Sequence, residues 1–352
     1  MKRIFALLLC VVMALSVIAC GEKTPAGPAA NAAKDYKLGM GVVVSLDSSA
    51  TGNAQVDATV ATVVLDAQGK IVMCRIDVAQ NKMAVANGAV EANKTFETKM
   101  ELGSRYGMEG KIDNDGNGVM KEWDAQTKAF EAYVVGKTAA EVKAIQTKEA
   151  NGHQIAVDQA LLDAGCSMQI TDFIAAVAKA CEDTKGQSFK AEEGKFTLGV
   201  AAKTVVDAAT KAATADADGV VAMYTDFAAS VVVDGKIVAS VNDCIQPKIG
   251  MNAAGEITSK SFKATKRELG KEYGMEGKVD NDGNGVMLEW DAQSDAFSKF
   301  VVGKTAAEVA GLKTQEKGGH MIAVDQALLD AGCSMQITGI MAVVAQSVTN
   351  AR

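Results

Sequence analysis

The sequence predicts an α+β fold made of two tandem copies of one module, each a small antiparallel sheet with packed helices. The repeat is visible directly, because residues 106–126 read YGMEGKIDNDGNGVMKEWDAQ and residues 273–293 read YGMEGKVDNDGNGVMLEWDAQ. Asp113 and Asp280 are 167 residues apart (280 − 113), and the same step joins His153 to His320. Within each copy, strand-like sequence precedes helical sequence, an order typical of α+β domains.

The N-terminal residues predict a lipoprotein signal and a tether. Residues 1–19 begin with Lys2 and Arg3 and continue as an apolar run of secretory-signal length. The run leads into Val-Ile-Ala-Cys, which resembles the bacterial lipobox, and that resemblance implies lipidation of Cys20. An ordinary signal peptide with a chance cysteine is the alternative. Residues 20–35 are predicted to be a flexible, lipid-anchored tether, so we expect the protein at the extracytoplasmic face of the cell membrane.

The composition argues against several classes of partner and fold. The formal net charge is −7 and no basic cluster is present, which argues against a nucleic-acid partner. Of the seven cysteines, Cys10 lies in the signal and Cys20 is the predicted lipid site. The five that remain are an odd number, and three of them have no cysteine counterpart in the other copy. This pattern is not typical of a disulfide framework.

We expect copy one at residues 36–181 and copy two at residues 196–352, joined by a charged linker at residues 182–195. Each copy opens with β-branched, alternating sequence, at residues 56–64 and 227–233. An Asp/Gly turn after each run indicates a hairpin.

Helical sequence fills the rest of each copy. In copy one, residues 95–105 are predicted to be helical, and a second helix at residues 122–135 ends before Gly136. Thr138 and Glu141 form a capping box for the next helix, and Thr305 and Glu308 repeat it in copy two. An Ala-rich amphipathic helix closes copy one at residues 170–181.

The acidic loop of each copy matches the calcium-loop template. Oxygen-bearing residues stand at positions 1, 3, 5, 7 and 12, and a glycine stands at the sharp turn. The predicted ligands are Asp113, Asp115, Asn117, Val119 and Asp124 in copy one, and Asp280, Asp282, Asn284, Val286 and Asp291 in copy two. Position 12 is Asp where the template has Glu. The alternative is a turn that caps the following helix, because Asn, Asp and Gly also favour turns.

A second repeated motif, Leu-Asp-Ala-Gly-Cys-Ser-Met-Gln-Ile-Thr, precedes the last helix of each copy, at residues 162–171 and 329–338. This motif, the hairpin sequence Asp-Gly-Lys-Ile and the helical middle together resemble the FMN-binding domain family. That family includes the flavinylated subunit of sodium-pumping NADH:quinone reductases and flavin lipoproteins of extracellular electron transfer. Its members carry FMN on the threonine of a Ser-Gly-Ala-Thr motif.

The resemblance implies FMN as a cofactor and electron-transfer partners. Ser-Gly-Ala-Thr falls on residues 164–167 and 331–334, where only the glycine is identical, so the implied phosphate acceptors are Ser167 and Ser334, beside Gly165 and Gly332. A plain helix-start serine is the alternative.

The remaining candidates are aromatic and histidine residues. Trp123 and Trp290 lie on an apolar helix face and either anchor the core or stack on a planar ligand. His153 and His320 are interpreted as structural residues at strand starts. The sequence thus predicts a bacterial surface lipoprotein that is not an enzyme. By resemblance it carries FMN-binding-like modules for extracytoplasmic electron transfer, and the alternative is a calcium-stabilised, non-redox binding or structural lipoprotein.

Overall fold

The computed structural model describes residues 32–86, 88–91, 94–283 and 285–352. The predicted signal peptide, the lipid site Cys20, most of the tether and Asn284 lie outside these ranges. Residues 33–352 form one compact unit. Among the described residues, no helix is both long and apolar enough to cross a membrane.

The first sheet is antiparallel and has five strands. They are β1 (Lys34–Ser45), β2 (Asn53–Leu65), β3 (Ile71–Ala86), β4 (Ala89–Val90) and β7 (Gln187–Ala191). Their order is β4-β3-β2-β1-β7. The predicted strand at residues 56–64 and the hairpin after it are confirmed by the pairing of β2 with β3. β7 lies inside the segment predicted as a linker, and it pairs with β1.

The second sheet is also antiparallel and belongs to copy two. Its strands are β8 (Thr197–Val206), β9 (Gly219–Val233), β10 (Lys236–Ile245), β11 (Lys248–Met251) and β12 (Ile257–Ser261). β9 pairs with β8 and β10 along its C-terminal part and with β11 at its N-terminal end, and β11 pairs with β12. Pro247 lies between β10 and β11, where the missing N–H interrupts the ladder.

Helices and two short hairpins complete the unit. The helices are α1 (Lys99–Leu102), α2 (Trp123–Val134), α3 (Ala139–Lys143), α4 (Gln159–Asp163), α5 (Thr171–Cys181), α6 (Lys266–Leu269), α7 (Trp290–Phe300), α8 (Ala306–Ala310), α9 (Gln326–Asp330) and α10 (Thr338–Thr349). The hairpins are β5 (Thr147–Ala150) with β6 (His153–Ala156), and β13 (Thr314–Lys317) with β14 (His320–Ala323). The fold is mixed α+β with antiparallel sheets, as the sequence predicts.

Local signals in the sequence account for several helix ends. The predicted capping boxes form at Thr138 and at Thr305. The helix predicted at residues 95–105 is too long at both ends: α1 begins at Lys99, after the N-cap Thr98, and ends at Leu102, where a 3-10 turn follows. The helix ends there because of Gly103, whose φ of 52° is incompatible with a continuing α-helix.

The two sheets pack face to face and share one apolar core. Along β2, alternate residues Val56, Ala58 and Val60 point inward, and they belong to the same buried cluster as residues of β9 such as Met223 and Phe227. This alternation follows from the two-residue period of a strand. Asn81 of β3 donates to Thr204 of β8 across the interface, at 2.9 Å, so this buried polar pair is satisfied.

The outer face of each sheet is apolar as well and is covered by helices. In copy one, Ala61, Val63 and Leu65 of β2 pack with residues of α2 and α5. In copy two, the outer face packs with α7 and α10. The strand–helix approach is close: a Cβ on Gly41 would lie 2.3 Å from the Ala176 carbonyl oxygen of α5. Glycine is therefore required at this position for α5 to lie against β1.

Ion pairs join the copies at the seam. Arg267 of α6 is 5% exposed, and its guanidinium lies 3.0 Å from the carboxylate of Asp183, in the segment between the copies. On the other side, the side chain of Arg352 donates to buried Glu131 of α2 at 2.8 Å. The first contact ties the intervening segment to copy two, and the second joins copy two to copy one. The segment is therefore part of the packed unit.

Candidate functional site

A cavity of about 1090 Å³ opens on the helix side of the second sheet. It lies between the outer residues of β8 and β9, the start of α6, the acidic loop of copy two and the N-terminus of α10. Its lining includes Tyr224, Asp226, Lys266, Tyr273, Trp290 and Thr338. This size is slightly above the usual range for small-molecule pockets, about 300–1,000 Å³.

Lys266 lies at the centre of an aromatic group in this cavity. Its Nζ donates a hydrogen bond to the Tyr224 hydroxyl at 2.9 Å. The same Nζ lies 4.5 Å from the ring centroid of Tyr224, 4.7 Å from that of Tyr273 and 5.5 Å from that of Trp290. These distances are within the range of cation–π attraction. Burial raises the pKa of the Tyr224 phenol, so its oxygen remains a protonated acceptor.

Asp226 is a buried carboxyl in the wall of the cavity. Its residue is 6% exposed, and its Oδ1 has no hydrogen-bond partner among the described residues. Burial raises its pKa to about 7, against the opposing attraction of the Lys266 ammonium. On the facing helix, a Cβ on Gly339 would lie 2.2 Å from Asp226 Oδ2. The glycine therefore makes room for the carboxyl at the start of α10.

Copy one has a different arrangement at the equivalent place. Lys99, at the 167-residue step from Lys266, lies over the rings of Tyr106 and Trp123, at 4.8 and 5.7 Å. The strand pairings align Asp57 and Thr59 of β2 with Tyr224 and Asp226 of β9.

On the helix of copy one, Asp172 takes the place of Gly339. Its pKa is raised by burial and by the nearby Asp57 carboxylate. Copy one thus has Thr59 at the position of Asp226, and its carboxyls at this place are Asp57 on the strand and Asp172 on the helix. The two copies therefore differ in their polar residues at this place.

The predicted aromatic residues Trp123 and Trp290 are both 3% exposed at the first residue of α2 and α7. The ring of Trp123 meets Phe173 edge-on, with centroids 6.0 Å apart. Trp290 lines the cavity. Each tryptophan is therefore mainly a core residue, and Trp290 also presents part of its surface to the cavity.

Ser167 and Ser334 lie inside the fold, each 4% exposed. The backbone N–H of each serine donates to a glutamine side chain, Gln126 or Gln293, at 3.0 Å. The serine carbonyls accept from Asn114 and Asn281 of the acidic loops, at 2.9 Å. This turn thus connects the acidic loop to α2 in copy one and to α7 in copy two, the helices that begin at Trp123 and Trp290.

The glycines before these serines have φ values of 92° at Gly165 and 89° at Gly332. A Cβ at Gly165 would meet Lys121, and one at Gly332 would meet Leu288. Beyond the buried serine of copy two, Gln336 and Thr338 are exposed and line the cavity. The side chains of this motif that line the cavity are therefore further along the chain than Ser334.

The acidic loop of copy one is organised around Asp113. Its Oδ1 accepts from the backbone N–H groups of Asn117 and Gly118, at 3.0 and 3.1 Å. Asp115 accepts from the Asn117 amide at 3.3 Å. Val119 is 67% exposed at the base of the loop, where it forms a β-bridge with Ile112. Asp124, the predicted ligand at position 12, pairs with Lys128 of its own helix at 2.7 Å.

The acidic loop of copy two has the same course in its described residues. Val286 is 65% exposed, and a Cβ on Gly285 would lie 3.0 Å from Asp280 Oδ2. Asp291 pairs with Lys185 from the segment between the copies, at 2.6 Å. Asp282 lies in the turn of the same loop. In both copies the position-12 carboxylate is thus engaged by a lysine.

The two histidines begin strands β6 and β14, as predicted. Both are exposed, and His320 lies on the rim of the cavity. By contrast, Cys166 and Cys333 are fully buried, and burial raises the pKa of each thiol to about 12. Protonated, buried thiols are poor nucleophiles and poor metal ligands.

Four residues of the cavity were not predicted from the sequence: Tyr224, Asp226, Lys266 and Thr338. Lys266 and Thr338 recur at the 167-residue step as Lys99 and Thr171, so the repeat itself contains a signal for them. Tyr224 and Asp226 have no counterpart of the same type in copy one. Their role depends on strand register and on the burial of β9, which the sequence pattern does not specify.

Comparison with protein-family models, curated proteins and solved structures found no match to this chain.

The buried carboxyl of Asp226 predicts a pH dependence of stability. Its folded pKa of about 7 is above the unfolded value of about 3.9, so the native state binds the extra proton and stability falls as pH rises between them. For this group alone, the free energy of unfolding is expected to be about 1–2 kcal/mol higher at pH 6 than at pH 8, because this interval spans the folded pKa. Urea unfolding at both pH values should show this gain in the wild type and a smaller one in Asp226→Asn. An identical gain in the two proteins would contradict the assignment.

Proposed function

We propose that the cavity of copy two binds a planar, anionic cofactor of the FMN class without a covalent bond, in a lipid-anchored protein of extracytoplasmic electron transfer. The observation that carries the proposal is the aromatic group of Tyr224, Tyr273 and Trp290 around the Lys266 ammonium. A flat heteroaromatic ring is the ligand that such a surface accommodates, because stacking and cation–π attraction both act on ring faces.

The mouth of the cavity supports the anionic part of the proposal. Lys203, Lys278 and His320 are exposed on its rim, where they would attract a phosphate. The twelve-residue helix α10 begins at Thr338, which also lines the cavity. Its first N–H groups and the positive end of its dipole would favour a phosphate there. Asp207 is on the rim as well, where it accepts from Gln246 at 3.4 Å.

Burial of the serines supports a non-covalent mode of binding. Ser167 and Ser334, the acceptors implied by the family resemblance, are each 4% exposed, and a phosphoester requires an accessible hydroxyl. We also propose that the protein contains two tandem FMN-binding-like modules and that Cys20 is lipidated. Redox partners would reach the cofactor through the open cavity. Copy two is the ligand-binding module in this scheme.

Flavin binding is tested with protein spanning residues 33–352 and titrated with FMN. We expect quenching of flavin fluorescence with 1:1 stoichiometry, and an intact mass that returns to the unmodified value after denaturation. Lys266→Met should weaken binding at least about tenfold, because the cation and its ring contacts are lost. Lys99→Met, the matched change in copy one, should leave the affinity unchanged. The proposal is wrong if the wild-type protein does not quench FMN at any protein concentration up to the solubility limit.

The alternative function, a calcium-stabilised binding protein without redox chemistry, is favoured by one specific observation. The three oxygen-bearing side chains at positions 1, 3 and 5 of the loop in copy one are clustered, since Asn117 contacts both Asp113 and Asp115. This grouping is the start of the ligand set that Ca²⁺ uses in twelve-residue loops.

Calcium binding predicts that the melting temperature depends on the free ion. At a calcium concentration 100 times Kd, the native state gains about 2.7 kcal/mol, which corresponds to a shift of several degrees. Asp113→Asn should reduce the shift, and Asp163→Asn, an exposed carboxylate outside the loops, should not. Equal melting temperatures in excess EDTA and in excess calcium would contradict this alternative.

A further inference from the structure

Asp226 is a buried, poorly satisfied carboxyl in the wall of the cavity, and the Cys244 thiol beside it is only a weak donor. Asp226 is 6% exposed, and its Oδ1 lacks a hydrogen-bond partner among the described residues. The nearby Lys266 ammonium donates to the Tyr224 hydroxyl and not to this carboxyl. A buried polar atom without a partner destabilises the native state, and a ligand that supplies the missing hydrogen bond removes that penalty.

The surroundings of Asp226 show that its place is specific to copy two. Gly339 leaves room for the carboxyl, since any Cβ there would lie 2.2 Å from Oδ2. In copy one Thr59 takes the position of Asp226, and the carboxyls nearby are Asp57, at the strand position that Tyr224 has in copy two, and Asp172 on the helix. A ligand held by the strand carboxyl in copy two would not find the same group in copy one.

We propose that Asp226 is the specificity residue of this cavity, and that it recognises the edge of a heteroaromatic ring carrying an N–H donor beside a carbonyl acceptor. The inference rests on the proposed function, and it identifies the imide edge of the flavin ring as the part held deepest in the cavity. The carboxyl of Asp226, which lines the cavity, accepts the ring N–H, and its protonated form also donates to the neighbouring carbonyl. The aromatic side chains then contact the ring faces, and the phosphate lies toward the cationic rim.

The test compares FMN with FMN methylated at the imide nitrogen, which lacks the donor and keeps the ring and the phosphate. With the protein of residues 33–352, we expect FMN to bind at least about tenfold more tightly than the methylated form. Asp226→Ala removes the acceptor and makes space for the methyl group, so the ratio of the two affinities should fall to about one. Asp226→Asn retains an acceptor and a donor and should restore most of the preference.

Asp172→Ala is the matched control, because it removes the carboxyl of copy one and should leave the ratio unchanged. Equal binding of the two flavins by the wild-type protein overturns the role of Asp226 even where FMN itself binds. Binding of neither flavin overturns the proposed function, and the inference falls with it. The wild-type ratio decides the question even if Asp226→Ala does not fold.

Discussion

The fold depends on the burial of two sheet faces against each other. Each sheet is apolar on both sides: along β2, Val56 and Val60 point to the other sheet while Ala61 and Val63 point to helices. Helices of the same copy cover only the outer face. The inner face must therefore be covered by the sheet of the other copy, because an exposed apolar sheet of this size is unstable in water. This packing predicts that each sheet needs the other in order to fold.

This constraint also explains the position of the cavity. Tyr224 and Asp226 alternate with inward residues of β9, so they lie on the helix side of the sheet. They stand beside the N-terminus of α10 and not beneath its length, and the acidic loop and α6 surround the remaining space. The inner face is therefore fixed by the shared core, while substitutions on the outer face can change the site. Copy one and copy two differ in this way, with Asp172 on the helix in one and Asp226 on the strand in the other.

Much of the fold follows from local sequence. The alternating run at 56–64, the capping boxes at Thr138 and Thr305 and the closing helix at 170–181 all form as predicted. β1 was not predictable in the same way, because Gly39 and Gly41 lower strand propensity and are present only to let α5 approach. β7 was missed because its charged, short sequence resembles a linker, and only its pairing with β1 makes it a strand.

The candidate site was predictable only where the two copies agree. Trp290 was found because Trp123 repeats it, whereas Tyr224 and Asp226 lack counterparts and depend on tertiary burial. The agreement between the copies favoured Ser167 and Ser334 as ligand-attachment sites, but both serines are buried. The residues that differ between the copies, Tyr224 and Asp226, are the ones that set the cavity of copy two apart from the equivalent place in copy one.

The shared inner core is tested most directly by producing residues 33–193 alone and measuring their state by sedimentation and thermal unfolding. If the inner face requires a second sheet, this fragment is unfolded or self-associates, and mixing it with residues 194–352 restores a cooperative transition in a 1:1 complex. A monomeric fragment that unfolds cooperatively near the melting temperature of the whole chain would contradict the account.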